Sequence, residues 1–301
     1  MPDSRRFLHP EAIRRIARLD LRARYVVEGF LAGMHRSPYF GQSVEFLQHR
    51  PYTWGDDLRY VDWKVWAKHD RYYVKQFEED TNLRSTLLVD VSGSMRYGAG
   101  AMNKYEYACT VAACLGYLLL RQQDAVGCLS FDESTRIAVP QRTKRNHIDS
   151  LVQALDVSDP KNKTDLYRVL REAAETYPRR GLMILISDLL AERGGLLRGL
   201  RLLRSRGHDV MVFHVMDDDE LDFPFNGPTR FEGLELPEHL ACNPRALREG
   251  YLAALGTFLE EVRRGCSGHN IDYALLRTSQ PLDAALARCL THRLGMRHAR
   301  E

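Results

Sequence analysis

Asp90, Ser92 and Ser94 stand at alternate positions of the stretch STLLVDVSGSM, Ser85 to Met95, and alternate residues of a turn can aim their side chains to one side. One carboxylate and two hydroxyls gathered in this way can hold a single hard cation, and magnesium prefers such oxygen donors. The other chemistry open to them is capping, in which an Asp/Ser-rich turn spends its side chains on the amides of the helix that follows. Two later places add oxygens of the same kind. Lys163-Thr164-Asp165-Leu166 opens an amphipathic helix, which puts the Thr164 hydroxyl at or near a helix N-terminus. Asp188 directly follows the apolar run GLMILIS, Gly181 to Ser187.

These residues need a scaffold that brings them to one place. Thr86 to Val89 and Gly181 to Ser187 read as buried strands, so Asp90 and Asp188 each fall at a strand's carboxyl end, where open α/β sheets bind ligands. Asn103 to about Arg121 reads as an apolar helix, and Ala125 to Phe131 as a strand with a hairpin partner from Thr135 to Val139. Helices follow at Arg145 to Leu155 and Gly194 to Arg206, then a strand at Val210 to Val215. A helix from Pro244 to about Arg264, a last strand from Asp272 to Leu276 and a helix from Pro281 complete the alternation. Such a rhythm predicts a doubly wound, mostly parallel sheet with helices on both faces. Asp217 to Asn243 interrupts it with acids, Pro224, Gly227, Pro228 and Gly233, and reads as an inserted hairpin. Its acids, Asp217, Asp218, Asp219, Glu220 and Asp222, read either as a solvated run or as a second cation site.

The order D-x-S-x-S, then Thr, then Asp is similar to the metal-ion-dependent adhesion site of von Willebrand factor type A domains, with Asp90, Ser92, Ser94, Thr164 and Asp188 as its members. The resemblance implies a von Willebrand factor A-like fold over residues 82–301. It implies a Mg²⁺ or Mn²⁺ ion whose open coordination position accepts a Glu or Asp carboxylate from another protein, with Asp188 acting through water. That is binding rather than turnover.

Residues 1–81 read as an N-terminal helix, Pro10 to about Met34, and a segment dense in charge and aromatics. In that segment Glu45, Arg50, Asp56, Asp57, Arg59 and Asp62 can pair among themselves, with Tyr52 and Trp63 beneath and a turn at Gly55. The pattern GxSVEFxxxRxYxxGDDxRxxDWxxxA resembles the signature of domain-of-unknown-function family 58, whose members carry a von Willebrand A-like domain after it. This second resemblance implies a MoxR-type AAA+ ATPase as partner, in chaperone-like assembly with a client protein.

The chain has 301 residues, room for one large α/β domain plus an appendage, and its formal net charge of +3 argues neither for nor against any partner. GxxxxGK[ST], HExxH, GxSxG and GxGxxG are absent, so an enzyme is not expected. A hydrolase using the same cation and an arginine-mediated nucleic-acid binder are the alternatives. Six cysteines without CxxC spacing read as core residues of a reduced, cytoplasmic protein. No apolar run approaches the roughly 20 residues a membrane span needs.

Overall fold

The computed structural model of the chain describes residues 10, 18–34, 49–51, 73–75, 83–156, 160, 162–235, 239–283, 285–288 and 291. Helix α1, Leu19–Met34, buries Leu19, Ala23, Val26, Val27 and Phe30, the single stripe of an amphipathic helix. By its contacts residues 1–33 belong to one compact unit with residues 83–301, whereas the sequence reading groups the helix with the signature segment. Residues 34–82 form a second unit. Within it β1 (His49–Pro51) and β2 (Tyr73–Lys75) pair antiparallel, Arg50 opposite Val74. Glu45, Tyr52, Gly55, Asp56, Asp57, Arg59, Asp62 and Trp63 lie outside the described residues, as does the side chain of Arg50.

The strands of the larger unit are, in chain order, β3 (Arg84–Asp90), β4 (Ala125–Phe131), β5 (Thr135–Arg142), β6 (Leu182–Ser187), β7 (Asp209–Met216), β8 (Thr229–Glu232), β9 (His239–Cys242) and β10 (Asp272–Arg277). β8 and β9 pair with each other as a hairpin in the inserted segment. The others form one sheet in the order β10-β7-β6-β3-β4-β5. Every pairing in it is parallel except that of β5 with β4. β3, β6 and β7 are buried almost end to end, as continuous apolar runs in a sheet covered on both faces must be. β5 alternates between half-buried and exposed positions with only Val139 fully buried, the pattern of an edge strand. It runs past Val139 through Pro140 to Arg142, beyond the expected end, because an edge strand tolerates a residue that cannot donate to the ladder.

The helices are α2 (Lys104–Arg121), α3 (His147–Asp156), α4 (Leu166–Thr176), α5 (Arg193–Ser205), α6 (Asp218–Asp222) and α7 (Pro244–Ser267). One face of the sheet, through Leu88, Leu129, Met183, Leu185, Val210 and Val212, meets Leu166 and Leu170 of α4, Leu200 and Leu203 of α5 and Val262 of α7. On the opposite face α2 comes down over Leu87, whose methyl is 3.6 Å from where Gly116 would carry a Cβ. No helix among the described residues is long and apolar enough to cross a membrane.

From β3 the chain moves outward to β4 and β5, then returns on the other side of β3 to lay down β6, β7 and β10. The strand order therefore switches direction between β3 and β6, and the carboxyl ends of these two strands frame the crevice where doubly wound sheets bind ligands. Register sets the rest. Val89 lies opposite Ile186, so Asp90 comes beside Ser187, with Asp188 one residue on at the same end.

Candidate functional site

Asp90 ends β3 with its side chain fully buried. Its Oδ1 accepts the Ser92 amide at 2.9 Å and the Thr164 hydroxyl at 3.3 Å, and its Oδ2 accepts the Ser187 hydroxyl at 2.5 Å. The Ser92 and Ser94 hydroxyls lie 3.1 Å apart. Asp90, Ser92, Ser94 and Thr164 are thus brought to one place, and Asp188 follows Ser187 at the same end of the sheet.

The capping alternative does not describe this turn. Residues Gly93–Arg96 form a short 3₁₀ turn, and Ser92 at its start makes no side-chain capping bond. Helix α2 begins later and is capped by Asn103, whose side chain accepts the Glu106 amide at 2.8 Å. Likewise α4 is capped by Asp165, which accepts the Arg168 amide at 3.0 Å. The Thr164 hydroxyl is left to face Asp90.

Thr164 is held there by a residue the sequence reading passes over. Asp132, just past the carboxyl end of β4, is 2 % exposed and accepts the Asn162 side-chain amide at 2.8 Å. Its backbone carbonyl accepts the Asp165 amide at 3.4 Å. After β6 the backbone folds back on itself at Leu189, which has φ of 56°, a left-handed conformation rare for a leucine. The turn sends the Leu189 amide to Ser187 Oγ at 2.9 Å and the Leu190 amide to Asp188 Oδ1 at 3.2 Å. Non-glycine residues held in this region concentrate at functional sites, where surrounding contacts enforce them.

Lys104, the first residue of α2, is fully buried. Its ammonium donates to Asp188 Oδ2 at 2.7 Å and to Glu220 Oε1 at 2.7 Å. Burial alone would push this amine down, but the two carboxylates outweigh it and hold it above its ordinary value. The same contact settles Asp188, where burial would raise the carboxyl and Lys104 instead holds it below its usual range. Asp90 has no such help. Burial and the neighbouring charge of Asp188 push it up to about 7, only partly offset by the bonds from Ser187 and Ser92. Among the described residues no lysine or arginine pairs with it.

Two arrangements differ from the sequence reading. The acids of the inserted segment are only in part a solvated run, since Asp222 is exposed while others are committed to partners, and no group of three among the described residues is placed as a second cation site. Asp217 caps α6 and accepts the Thr278 hydroxyl at 2.7 Å, Asp218 and Asp222 pair with Arg277, and Glu220 holds Lys104. Second, Glu235 of the same segment reaches the site. A Cβ on Gly93 would stand 3.3 Å from its Cγ, burial pushes its carboxyl up with Ser94 only partly offsetting this, and its Oε1 is buried with no hydrogen-bond partner.

Among the described residues no group of three His, Cys, Asp or Glu side chains is placed to hold a metal ion, so a cation at Asp90 would depend on hydroxyl donors. Cys109, Cys114, Cys128, Cys242 and Cys266 are free, and all but Cys242 are buried. Burial pushes the Cys266 thiol up to about 11 and the Cys128 thiol up to about 12, which makes both poor nucleophiles.

Strand order, the single antiparallel edge and helices on both faces define an α/β domain of the von Willebrand factor A type. Within that class the chain belongs to the family described as Protein of unknown function DUF58, whose profile matches residues 48–257. It is 26% identical over 289 residues to an uncharacterized protein of Mycobacterium tuberculosis, a match covering 94% of this chain and 90% of the relative. An uncharacterized protein of Mycobacterium bovis matches to the same extent. Among solved structures, BatB from Bacteroides thetaiotaomicron superposes with a TM-score of 0.45 at 16% identity, covering 72% of this chain and 99% of BatB. The VWA domain of SpRpn10 does so with a TM-score of 0.41 at 10% identity, covering 68% and 94%. At such scores the assignment of fold rests on the topology and register above.

Proposed function

We propose that this domain is a cytoplasmic protein-binding module that uses a divalent cation, Mg²⁺ or Mn²⁺, at Asp90 to capture an acidic side chain of a partner protein. One observation carries the reading: Asp90 is a fully buried carboxylate beside a second carboxylate, and no basic side chain among the described residues neutralises it. A buried anion of that kind calls for a counter-charge. The donor set fits a hard ion, with Asp90, Ser92, Ser94 and Thr164 as its holders and Asp188 as the second acid, and the orphaned Glu235 Oε1 adds an unsatisfied oxygen at the same place. When bound, such an ion keeps waters that a carboxylate can replace.

The residues of the chain do the positioning. Asp132 and Asn162 hold the Thr164 loop, Ser187 orients Asp90, and Lys104 keeps Asp188 ionised. The free, mostly buried cysteines support a reducing compartment. The family signature supports a MoxR-type AAA+ ATPase as the partner whose acid is captured, with a client protein handled by the pair. Nucleic acid and turnover are not part of this reading.

Calorimetric titration of Mg²⁺ and Mn²⁺ into the full chain and into Asp90→Ala tests it. One ion bound by the wild type and none by the variant is the expected result. Hydrolysis of phosphoesters that depends on Mg²⁺ and on Asp90 would replace binding with catalysis.

A further inference from the structure

Helices α1, α2 and α3 meet at a cleft of about 550 Å³, a size typical of small-molecule sites, and all of its walls belong to the larger unit. It is far from Asp90. Lys104 at the strand ends and Arg121 in the cleft are the two ends of α2, about 26 Å apart at the rise of an α-helix. Three separate elements each bring one arginine to the cleft: Arg24 from α1, Arg121 from the last turn of α2, and Arg145 from the residues just before α3. All three are exposed, and among the described residues none pairs with a carboxylate. Carboxylates are nevertheless at hand. Glu28, four residues after Arg24 on α1, and Asp149, in the first turn of α3, line the same cleft. Glu28 accepts the Tyr117 hydroxyl at 3.4 Å, while the Arg24 guanidinium lies over the Tyr117 ring, 5.9 Å from its centre. Half-buried Tyr117 and the buried Leu120 and Ile148 supply an apolar floor.

We propose that this cleft is a second binding site, separate from the strand-end oxygens, and that its ligand is a nucleoside monophosphate. Each part of the lining has a counterpart in such a molecule. Guanidinium forks match phosphate oxygens two at a time. The Tyr117 ring with Leu120 and Ile148 offers a surface for the flat base, whose π-face any aromatic side chain can stack on. Glu28 and Asp149 accept hydrogens from ribose hydroxyls or base N–H groups. A bare inorganic anion would leave both carboxylates facing like charge, and an uncharged ring would leave the three arginines unmatched.

The test titrates AMP and GMP into the full chain by calorimetry, in EDTA so that no cation at Asp90 can hold a phosphate. Saturable binding of one nucleotide per chain is expected. Arg121→Gln and Arg145→Gln should each weaken it by about tenfold or more, the loss of one bond between charged groups, with an unchanged thermal midpoint showing that the fold is intact. Tyr117→Leu should bring the nucleotide's affinity down towards that of inorganic phosphate. Arg171→Gln, on α4 across the sheet, and Asp90→Ala should both bind as the wild type does. The metal site can therefore fail without touching this inference. Absence of binding by either nucleotide at millimolar concentration overturns it. So does inorganic phosphate bound as tightly as the nucleotides, which reduces the cleft to a patch of positive charge, and so does an equal loss in Arg171→Gln.

Discussion

Replacing Lys104 by methionine removes a buried charge while keeping most of the side chain's length, and the surroundings set the size of the effect. The ammonium lies 2.7 Å from Asp188 and 2.7 Å from Glu220, and Asp188 is only 1% exposed. Without Lys104, Asp188 is left as a buried anion beside Asp90. Breaking a buried ion pair from one side costs about 3–5 kcal/mol. A ceiling follows separately from acid–base chemistry. The stranded carboxylate can escape by taking up a proton, which at pH 7 costs about 4 kcal/mol for a group whose ordinary pKa is about 3.9. The two figures agree, and the second depends on pH, falling to about 1.5 kcal/mol at pH 5. In the variant the folded state keeps a proton that the unfolded chain releases, so the variant loses stability as pH rises. Its deficit against the wild type should therefore widen from pH 5 to pH 7. Urea unfolding in EDTA measures this, with an unchanged denaturant slope marking an unchanged extent of unfolding. A deficit below about 1 kcal/mol at pH 7, far under that for a broken buried pair, or one equal at both pH values, would refute the reasoning.

Asp90→Asn should have the opposite sign in the metal-free protein. The wild-type carboxyl, pushed up to about 7, holds its proton in the folded chain after the unfolded chain has lost it, so wild-type stability falls as pH rises through that window. The neutral asparagine escapes this loss, and unfolding in EDTA at pH 8 should find the variant more stable by up to about 4 kcal/mol, with the gain gone by pH 4. A variant less stable than the wild type at pH 8 contradicts the assignment. Asp132→Ala frees the Asn162 amide and the loop that carries Thr164. It should cost about 1–3 kcal/mol in urea unfolding and weaken Mg²⁺ binding several-fold by calorimetry. Unchanged metal affinity would mean that Thr164 keeps its place without Asp132.

What could be read from the chain was what local pattern encodes. The apolar runs of β3 and β6 lead directly into Asp90 and Asp188, so the pattern alone puts both carboxylates at strand ends. Thr164 was legible because an amphipathic helix starts beside it, although the cap proved to be Asp165. Lys104 was not legible. A lysine opening a helix ordinarily faces water, and its burial depends on Asp188 and Glu220, which lie 84 and 116 positions away in the chain. Glu235 was hidden for the same reason, since nothing near it in sequence points to Ser94. The acids from Asp217 to Asp222 resembled a solvated run because their partners, Arg277, Thr278 and Lys104, belong to other elements. Sequence periodicity finds strand ends; it does not find the distant charges that make those ends habitable.

The inserted hairpin leaves the chain after β7 and gives it back at α7, adding no strand to the main sheet. Lengthening a surface loop is thermodynamically mild, with each doubling costing about 0.6 kcal/mol. The hairpin beside the site is therefore a separable part of the molecule. The sheet fixes where charge collects, while the hairpin is free to change in length and sequence with little penalty to the core. On the capture reading, the hairpin that packs on Gly93 can change while the oxygens at the strand ends stay as they are.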